Sequence, residues 1–583
     1  MEKFLQKKWN LKDLLPAYKG KKFERILISI ESDIKILEKS KNILNAKISP
    51  KKFLELLLIY EKILEKFSIL GGFAELKFSE NVSDKEAVAF KTKIELFLTN
   101  LSNRLIFFSL FWKNLDDQNA NRIIKDSGKY SYYLKYARKF KKHILSEKEE
   151  KIINLKDLSG VTTLNNIYNT FTNKFLFNFK GKKLTREQLG VFVKDSKANI
   201  RKAAYKELYK PYLKNKDILG EIYKSIVIDW KSESLKLRKY KEDISPRNLS
   251  NDIPDDVVNL VFDVCKKNRN LFQDYFKLKA KILKMKKLTR YDVLAPIIKT
   301  KESIPYSTSV HMVLKNFKIL GSEFYERAFK ILKNDHIDSE IRKNKRGGAF
   351  CAGISPNKIP YVLLNYNKKF RDVLTLAHEM GHGVHDLFSA KNTFLMFGSG
   401  LPLAETASTF SETMMYETLS TVSNAKVRKK ILFFHLDDLY CTIARQIYFS
   451  MFEKEIFSKI ESVNSIDGIS EIYLKKLKEL FGDSVLIPEQ FKWEWLMIPH
   501  FYETPFYCYA YSFGNLLALA IFEKYKEEGR KVLPKYINIL ESGSSKNPAQ
   551  VLLRNGFNIK KREFWQKGFD FVQDLLYKAN DSC

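Results

Sequence analysis

Residues 375–385 read Thr375-Leu376-Ala377-His378-Glu379-Met380-Gly381-His382-Gly383-Val384-His385, preceded by Asp372-Val373-Leu374. Apolar residues between the polar ones make this a good helix host. On a helix, positions i and i+4 stand on one face, one turn apart, so the imidazoles of His378 and His382 can reach one cation at the roughly 2.0 to 2.1 Å of a Zn–N bond. Glu379 is rotated off that face. A carboxylate there sits beside the cation without ligating it, and can take the proton from a water whose pKa zinc lowers toward about 7. Only 8 histidines occur in the chain, and composition alone assembles H-E-x-x-H in fewer than roughly one chain in fifty of this length. His385, at i+7 from His378, lies near the same face; supporting, structural and rim roles compete there with ligation.

Two protein ligands leave a hydrolytic zinc short, because such sites present three and keep a position for water. The next segment supplies a candidate. Leu403-Ala404-Glu405-Thr406-Ala407-Ser408-Thr409-Phe410-Ser411-Glu412 reads as a second helix, reached through the flexible Phe397-Gly398-Ser399-Gly400-Leu401-Pro402. That connection is long enough to fold the second helix back against the first. Glu405 falls in its first turn among small residues that permit close packing. Glu412, two turns on and on roughly the same face, is placed either to orient a ligand histidine or to make an ordinary surface ion pair.

On the other side of the motif, Gly347-Gly348-Ala349-Phe350-Cys351-Ala352-Gly353-Ile354 and Pro360-Tyr361-Val362-Leu363-Leu364-Asn365-Tyr366, separated by Ser355-Pro356-Asn357-Lys358, read as two strands joined by a turn. A strand at Gly347 to Ile354 can accept an extended peptide by strand addition, which binds backbone whatever the side chains. Elsewhere apolar residues recur at helical spacings, as in Phe53, Leu54, Leu57, Leu58, Tyr60, Ile63 and Leu64, and glycine and proline number only 23 and 15. The fold class is therefore mainly α, with one small sheet near the metal motif. Residues 244–256, with Ser245-Pro246 and Ile253-Pro254, read as a loop leading into a helix with Asp255 or Asp256 in its first turn.

The 102 Lys+Arg exceed the 68 Asp+Glu by 34, which would attract anionic partners. The basic residues are mostly lysines interleaved with acids, without an arginine-rich stripe, and read as a solvated surface rather than a nucleic-acid footprint. Cys265, Cys351, Cys441, Cys508 and Cys583 form no C-x-x-C pair and point to free thiols in a reducing compartment. The start, Met1-Glu2-Lys3-Phe4-Leu5-Gln6-Lys7-Lys8-Trp9, is charged where a signal peptide is apolar, and no apolar run is expected to be long enough to span a membrane. A cytoplasmic monomer without a membrane or nucleic-acid partner is the expectation.

The motifs together resemble the oligoendopeptidase F branch of the thimet-oligopeptidase family of zinc peptidases. The resemblance rests on Trp9-Asn10-Leu11-Lys12-Asp13-Leu14-Leu15-Pro16, Gly348-Ala349-Phe350-Cys351, Leu364-Asn365-Tyr366, the H-E-x-x-H helix, Ala404-Glu405-Thr406-Ala407-Ser408-Thr409, and the late Pro499-His500-Phe501-Tyr502 with Tyr507, Tyr509 and Tyr511. It implies an elongated helical molecule with a deep substrate channel, one Zn²⁺ per chain, and access limited to short unstructured peptides. By position it implies His378, His382 and Glu405 as ligands and Glu379 as base. It further implies His500, Tyr502 and Tyr509 as donors to substrate and the developing oxyanion, with Tyr507 able to exchange roles with Tyr509, and Gly348, Ala349 and Phe350 along the substrate. Residues 1–195 then form an N-terminal helical region. Residues 196–583 form the catalytic region, with the sheet in 338–370, the metal helices in 371–420 and the substrate and oxyanion segment in 490–525.

Independent chemistry supports the donor roles: a tetrahedral intermediate places negative charge where phenol or imidazole groups can stabilise it. The competing reading of Phe501 to Phe513 is an aromatic core segment. Two rival functions stand beside the endopeptidase. One is a helical zinc carboxypeptidase, which needs a fixed cation for the substrate's terminal carboxylate. The other is a non-catalytic basic protein that binds peptide or nucleic acid.

Overall fold

The computed structural model describes residues 3–298, 303–463 and 465–582. Two compact units emerge, and neither is a continuous stretch: the first is Met1–Lys151, Glu302–Met415 and Lys524–Asn558, the second Ile152–Lys301, Tyr416–Glu523 and Ile559–Cys583. Both units are dominated by helices, as expected from the periodicity.

The first unit is built on three long antiparallel-connected helices, α1 (Gly20–Lys39), α2 (Pro50–Glu80) and α3 (Lys85–Asn114). Their starts are chemically marked. Ser49 accepts the Lys52 N–H ahead of α2, with Pro50 at the first helical position, and Asp84 accepts the Glu86 and Ala87 N–H groups ahead of α3. Leu56, Leu57, Ile63 and Phe67 of α2 are buried with Ile94, Leu101, Leu105 and Phe108 of α3 in one core, where Phe53 stacks on Phe108 at 5.6 Å. Contrary to expectation, α3 contains an 18-residue window of mean hydropathy 1.2, long and apolar enough by composition to cross a membrane. A third of that window is buried, where α3 joins the core with α2.

The same core reaches the sheet. Strands β1 (Ile337–Asp338), β2 (Phe350–Ala352) and β3 (Tyr361–Leu363) lie in the order β1-β3-β2. The hairpin read from the sequence is present: β2 and β3 are antiparallel, with Cys351 opposite Val362. Strand β1, parallel to β3 with Ile337 opposite Val362, carried no sequence signal because it is two residues long. The Trp9-to-Pro16 motif is structural in this unit, since Trp9, Leu11, Leu14 and Leu15 are buried and the Trp9 ring meets Tyr361 edge-on at 6.0 Å.

Helices α4 (Phe370–Ser389) and α5 (Leu401–Val422) follow the sheet, and α5 up to Met415 belongs to this unit. In the second unit, Ser245–Ser250 is a short helix rather than a loop, since Pro246 falls at its first turn where a missing N–H costs nothing. The helix Asp255–Lys267 then starts with Asp255 and Asp256 in its first turn, as read.

Candidate metal centre

Helix α4 begins where Asp372 accepts the backbone N–H groups of Asn367 (2.7 Å) and Lys369 (2.9 Å). Those bonds satisfy donors that a helix N-terminus leaves unpaired. Val373, Leu374, Leu376, Ala377, Met380, Val384 and Phe388 bury one side of α4 and fix its rotation. With that side in the core, His378 and His382 remain partly exposed, 25% and 21%.

Two glycines set the distances to α4's neighbours. A Cβ on Gly381 would stand 2.7 Å from the Ala407 carbonyl oxygen and from Ser408 Cα, so only glycine lets α5 come this close. A Cβ on Gly383 would meet Ile331 Cδ1 at 2.5 Å.

That close approach delivers Glu405. Its Oε2 lies 3.4 Å from His378 Nε2 and 3.6 Å from His382 Nε2, and donor atoms of the three residues all fall within 4.8 Å of one another. Donors about 2.0 to 2.1 Å from one cation at tetrahedral angles are separated by about 3.4 Å, so the observed spacing and the N,N,O donor set fit zinc. Glu412 Oε2 is 3.0 Å from His378 Nδ1, which resolves its two readings in favour of orienting the histidine and directing Nε2 toward Glu405. Ser408 donates to Glu405 Oε2 at 2.9 Å and fixes the carboxylate from behind.

Electrostatics bear the mark of close opposite charges. Burial would raise the Glu405 carboxyl, but His382, His378 and the Ser408 hydroxyl outweigh it and hold the group at about 2. Burial would lower His378, yet Glu405 and Glu412 raise it well above its ordinary value. His382 is pushed by burial down to about 4, with Glu405 opposing.

Glu379 is 7% exposed, and burial, only partly offset by His378, pushes its carboxyl up to about 7; the Cys351 backbone N–H is directed at it from strand β2. His385 turns away from the triad. Its Nε2 is 3.2 Å from Ser399 Oγ in the connection between the helices, a part-buried contact. Gly348 adopts a positive φ of 78° in the turn entering β2, and Asn365 Nδ2 donates to its carbonyl at 2.8 Å. Ala349 follows it, and the Phe350 ring sits 6.2 Å from Trp9 on the sheet face away from α4.

The late aromatic segment divides. His500, Tyr507 and Tyr511 form a cluster in the second unit, with Tyr511 Oη 3.4 Å from His500 Nε2 and the Tyr507 ring 5.6 Å from the imidazole. Tyr502 and Tyr509, expected as donors, lie outside that cluster and are fully buried. Tyr502 stacks on Tyr168 at 3.7 Å, and Tyr509 Oη accepts from Asn251 Nδ2 at 2.7 Å. The core reading holds for these two because Phe506, at φ 57°, interrupts the chain between two helices, Pro499–Glu503 and Tyr509–Glu528. No single periodicity runs through the segment.

Residues 191–571 match the model of Peptidase family M3, and residues 112–177 that of Oligopeptidase F. The chain belongs to peptidase family M3. Among M3 relatives, an oligoendopeptidase F homolog of Borreliella burgdorferi is 32% identical over 88% of this chain and 88% of its own. Oligopeptidase PepF of Bacillus subtilis is 26% identical over 98% of this chain and 88% of its own. The fold matches the crystal structure of oligoendopeptidase-F from Enterococcus faecium with a TM-score of 0.74, at 21% identity over 96% of this chain and 98% of that one. It also matches a peptidase from Chlamydophila abortus with a TM-score of 0.81, at 23% identity over 99% and 98%.

Proposed function

We propose that this M3 peptidase is a zinc-dependent endopeptidase of short, unstructured peptides. The observation that carries the reading is the convergence of His378, His382 and Glu405 donor atoms at 3.4 and 3.6 Å with Glu379 beside them. His378, His382 and Glu405 would hold the zinc. When bound, zinc supplies Lewis acidity, lowering the pKa of water and polarising a carbonyl. Glu379 takes the proton from the attacking water and passes it to the leaving amine, a role suited to a carboxyl raised toward neutrality by burial. Glu412 keeps the His378 ring in one orientation throughout.

The free edge of β2, with the Cys351 N–H facing Glu379, offers the substrate backbone a strand partner. Broad side-chain acceptance follows from backbone pairing. Free thiols at Cys265, Cys351, Cys441 and Cys508 are consistent with a reducing, cytoplasmic setting. A monomer with no membrane or specific nucleic-acid partner completes the proposal.

The test is digestion of internally quenched peptides blocked at both ends, with and without chelator. Internal cleavage that is lost with chelator and restored by zinc is the expected result. Cleavage confined to peptides with a free carboxyl terminus would instead make the protein a carboxypeptidase, and chelator-resistant cleavage would remove the metal from the account.

A further inference from the structure

Asp386 lies one helical turn beyond His382 on α4, and no role described so far uses its carboxyl group. It is turned toward the sheet: a Cβ built on Gly353, just past β2, would overlap that carboxyl, with Cγ 2.5 Å and Oδ1 2.9 Å away. Cys351, two residues earlier, faces the same helix, its Sγ 3.6 Å from where a Cβ on Gly383 would stand. Alternate residues of an extended chain share a face, so Cys351 and Gly353 both look onto α4.

Asp386 is half-buried, and among the described residues neither a cation nor a hydrogen-bond donor acts on its carboxyl. Burial, with no opposing charge, pushes it up to about 7. A carboxylate buried for scaffolding carries its cation with it, because leaving one uncompensated is costly. Asp338 in the same unit shows this, paired with both Arg342 and Lys345. Asp386, half-buried, has no such partner.

Across a β-ladder, residues directly opposite each other lie on the same face of the sheet. In a peptide paired along the free edge of β2, the residue opposite Cys351 points toward α4 near Glu379. The residue opposite Gly353 points toward α4 at Asp386, whose carboxyl fills the place that a Cβ on Gly353 would take. We propose that Asp386 is a specificity residue that takes the cationic side chain, lysine or arginine, of the substrate residue paired opposite Gly353. The proposal rests on the peptidase reading, since it uses the same strand edge.

The test uses the zinc-loaded full chain and quenched peptides, acetylated and amidated, in which one lysine is walked through an otherwise neutral sequence and then replaced by norleucine. At one register, wild type should prefer lysine over norleucine by about tenfold or more in kcat/KM, the scale of one charge-assisted hydrogen bond. Asp386→Asn should bring that ratio to about one, and Asp386→Glu should restore part of it. Absence of any such register in wild type, or the same ratio in Asp386→Asn, overturns the proposal. If wild type cleaves no peptide at all, the peptidase reading fails, and the proposal is judged by fluorescence anisotropy of the labelled lysine and norleucine peptides. There, about tenfold tighter binding of the lysine peptide by wild type but not by Asp386→Asn supports it, and equal binding of the two peptides by wild type overturns it.

Discussion

Two buried carboxylates, one in each unit, make an instructive pair. In the second unit, Glu494 receives Arg290 Nη2 at 2.6 Å, Arg445 Nη2 at 3.0 Å and the Tyr473 hydroxyl at 3.2 Å. Burial would raise it, but the two guanidinium groups win and hold it below the usual carboxylate range. Its charge is fully compensated by permanent cations. Glu405 in the first unit is less enclosed, its side chain 15% exposed against 7% for Glu494, and its nearest partners are two imidazoles that carry no permanent charge. A carboxylate surrounded by arginines is scaffolding, whereas one surrounded by imidazoles, with a second carboxyl at Glu379 close by, could hold a metal cation, as proposed above.

Substitutions can break this contrast in graded steps. The largest effect is expected at Glu379→Gln, which should lower kcat by about 10²- to 10⁴-fold, the usual worth of a general acid-base group, while zinc content stays at the wild-type level. Loss of zinc together with activity would make Glu379 part of the binding site instead. Next comes Glu494→Gln, which strands the buried Arg290 guanidinium beside the partly exposed Arg445 and should cost about 3 to 5 kcal/mol in denaturant unfolding with zinc affinity unchanged. A fall in zinc affinity there would erase the distinction between the two carboxylates. Glu412→Gln should then weaken zinc binding by about 10- to 100-fold through loss of His378 orientation, with little change in the unfolding midpoint of the zinc-free protein. Smallest is Gly381→Ala, where the added methyl must push α5 away from α4. A cost of about 1 to 3 kcal/mol in stability, with weaker zinc binding, is the expected outcome.

Legibility in the sequence followed the length of the physical signal. Helices and the β2–β3 hairpin were readable because periodicity and turn residues repeat over many positions. The juxtaposition of His378, His382 and Glu405 was readable because the two histidines share one helical turn and Glu405 lies near the start of α5, so local geometry almost suffices. Strand β1 was not, since Ile337–Asp338 is a strand only by virtue of its partner β3. The late tyrosines could not be placed for a related reason: Phe506 at positive φ resets the phase between two helices, so sequence spacing could not tell Tyr507 and Tyr511, beside His500, from Tyr502 and Tyr509 in the core. Asp386 left a faint trace as the i+4 neighbour of His382. Its meaning appeared only with Gly353 packed against it.

The central claim is that three side chains from two consecutive helices hold one cation. Zinc stoichiometry and affinity of the purified chain test it most directly, compared between wild type and the single variants His378→Ala, His382→Ala and Glu405→Ala. One zinc per chain in wild type, and affinity reduced by at least about 100-fold in each variant, is the predicted result. Equal zinc binding by wild type and all three variants would contradict it.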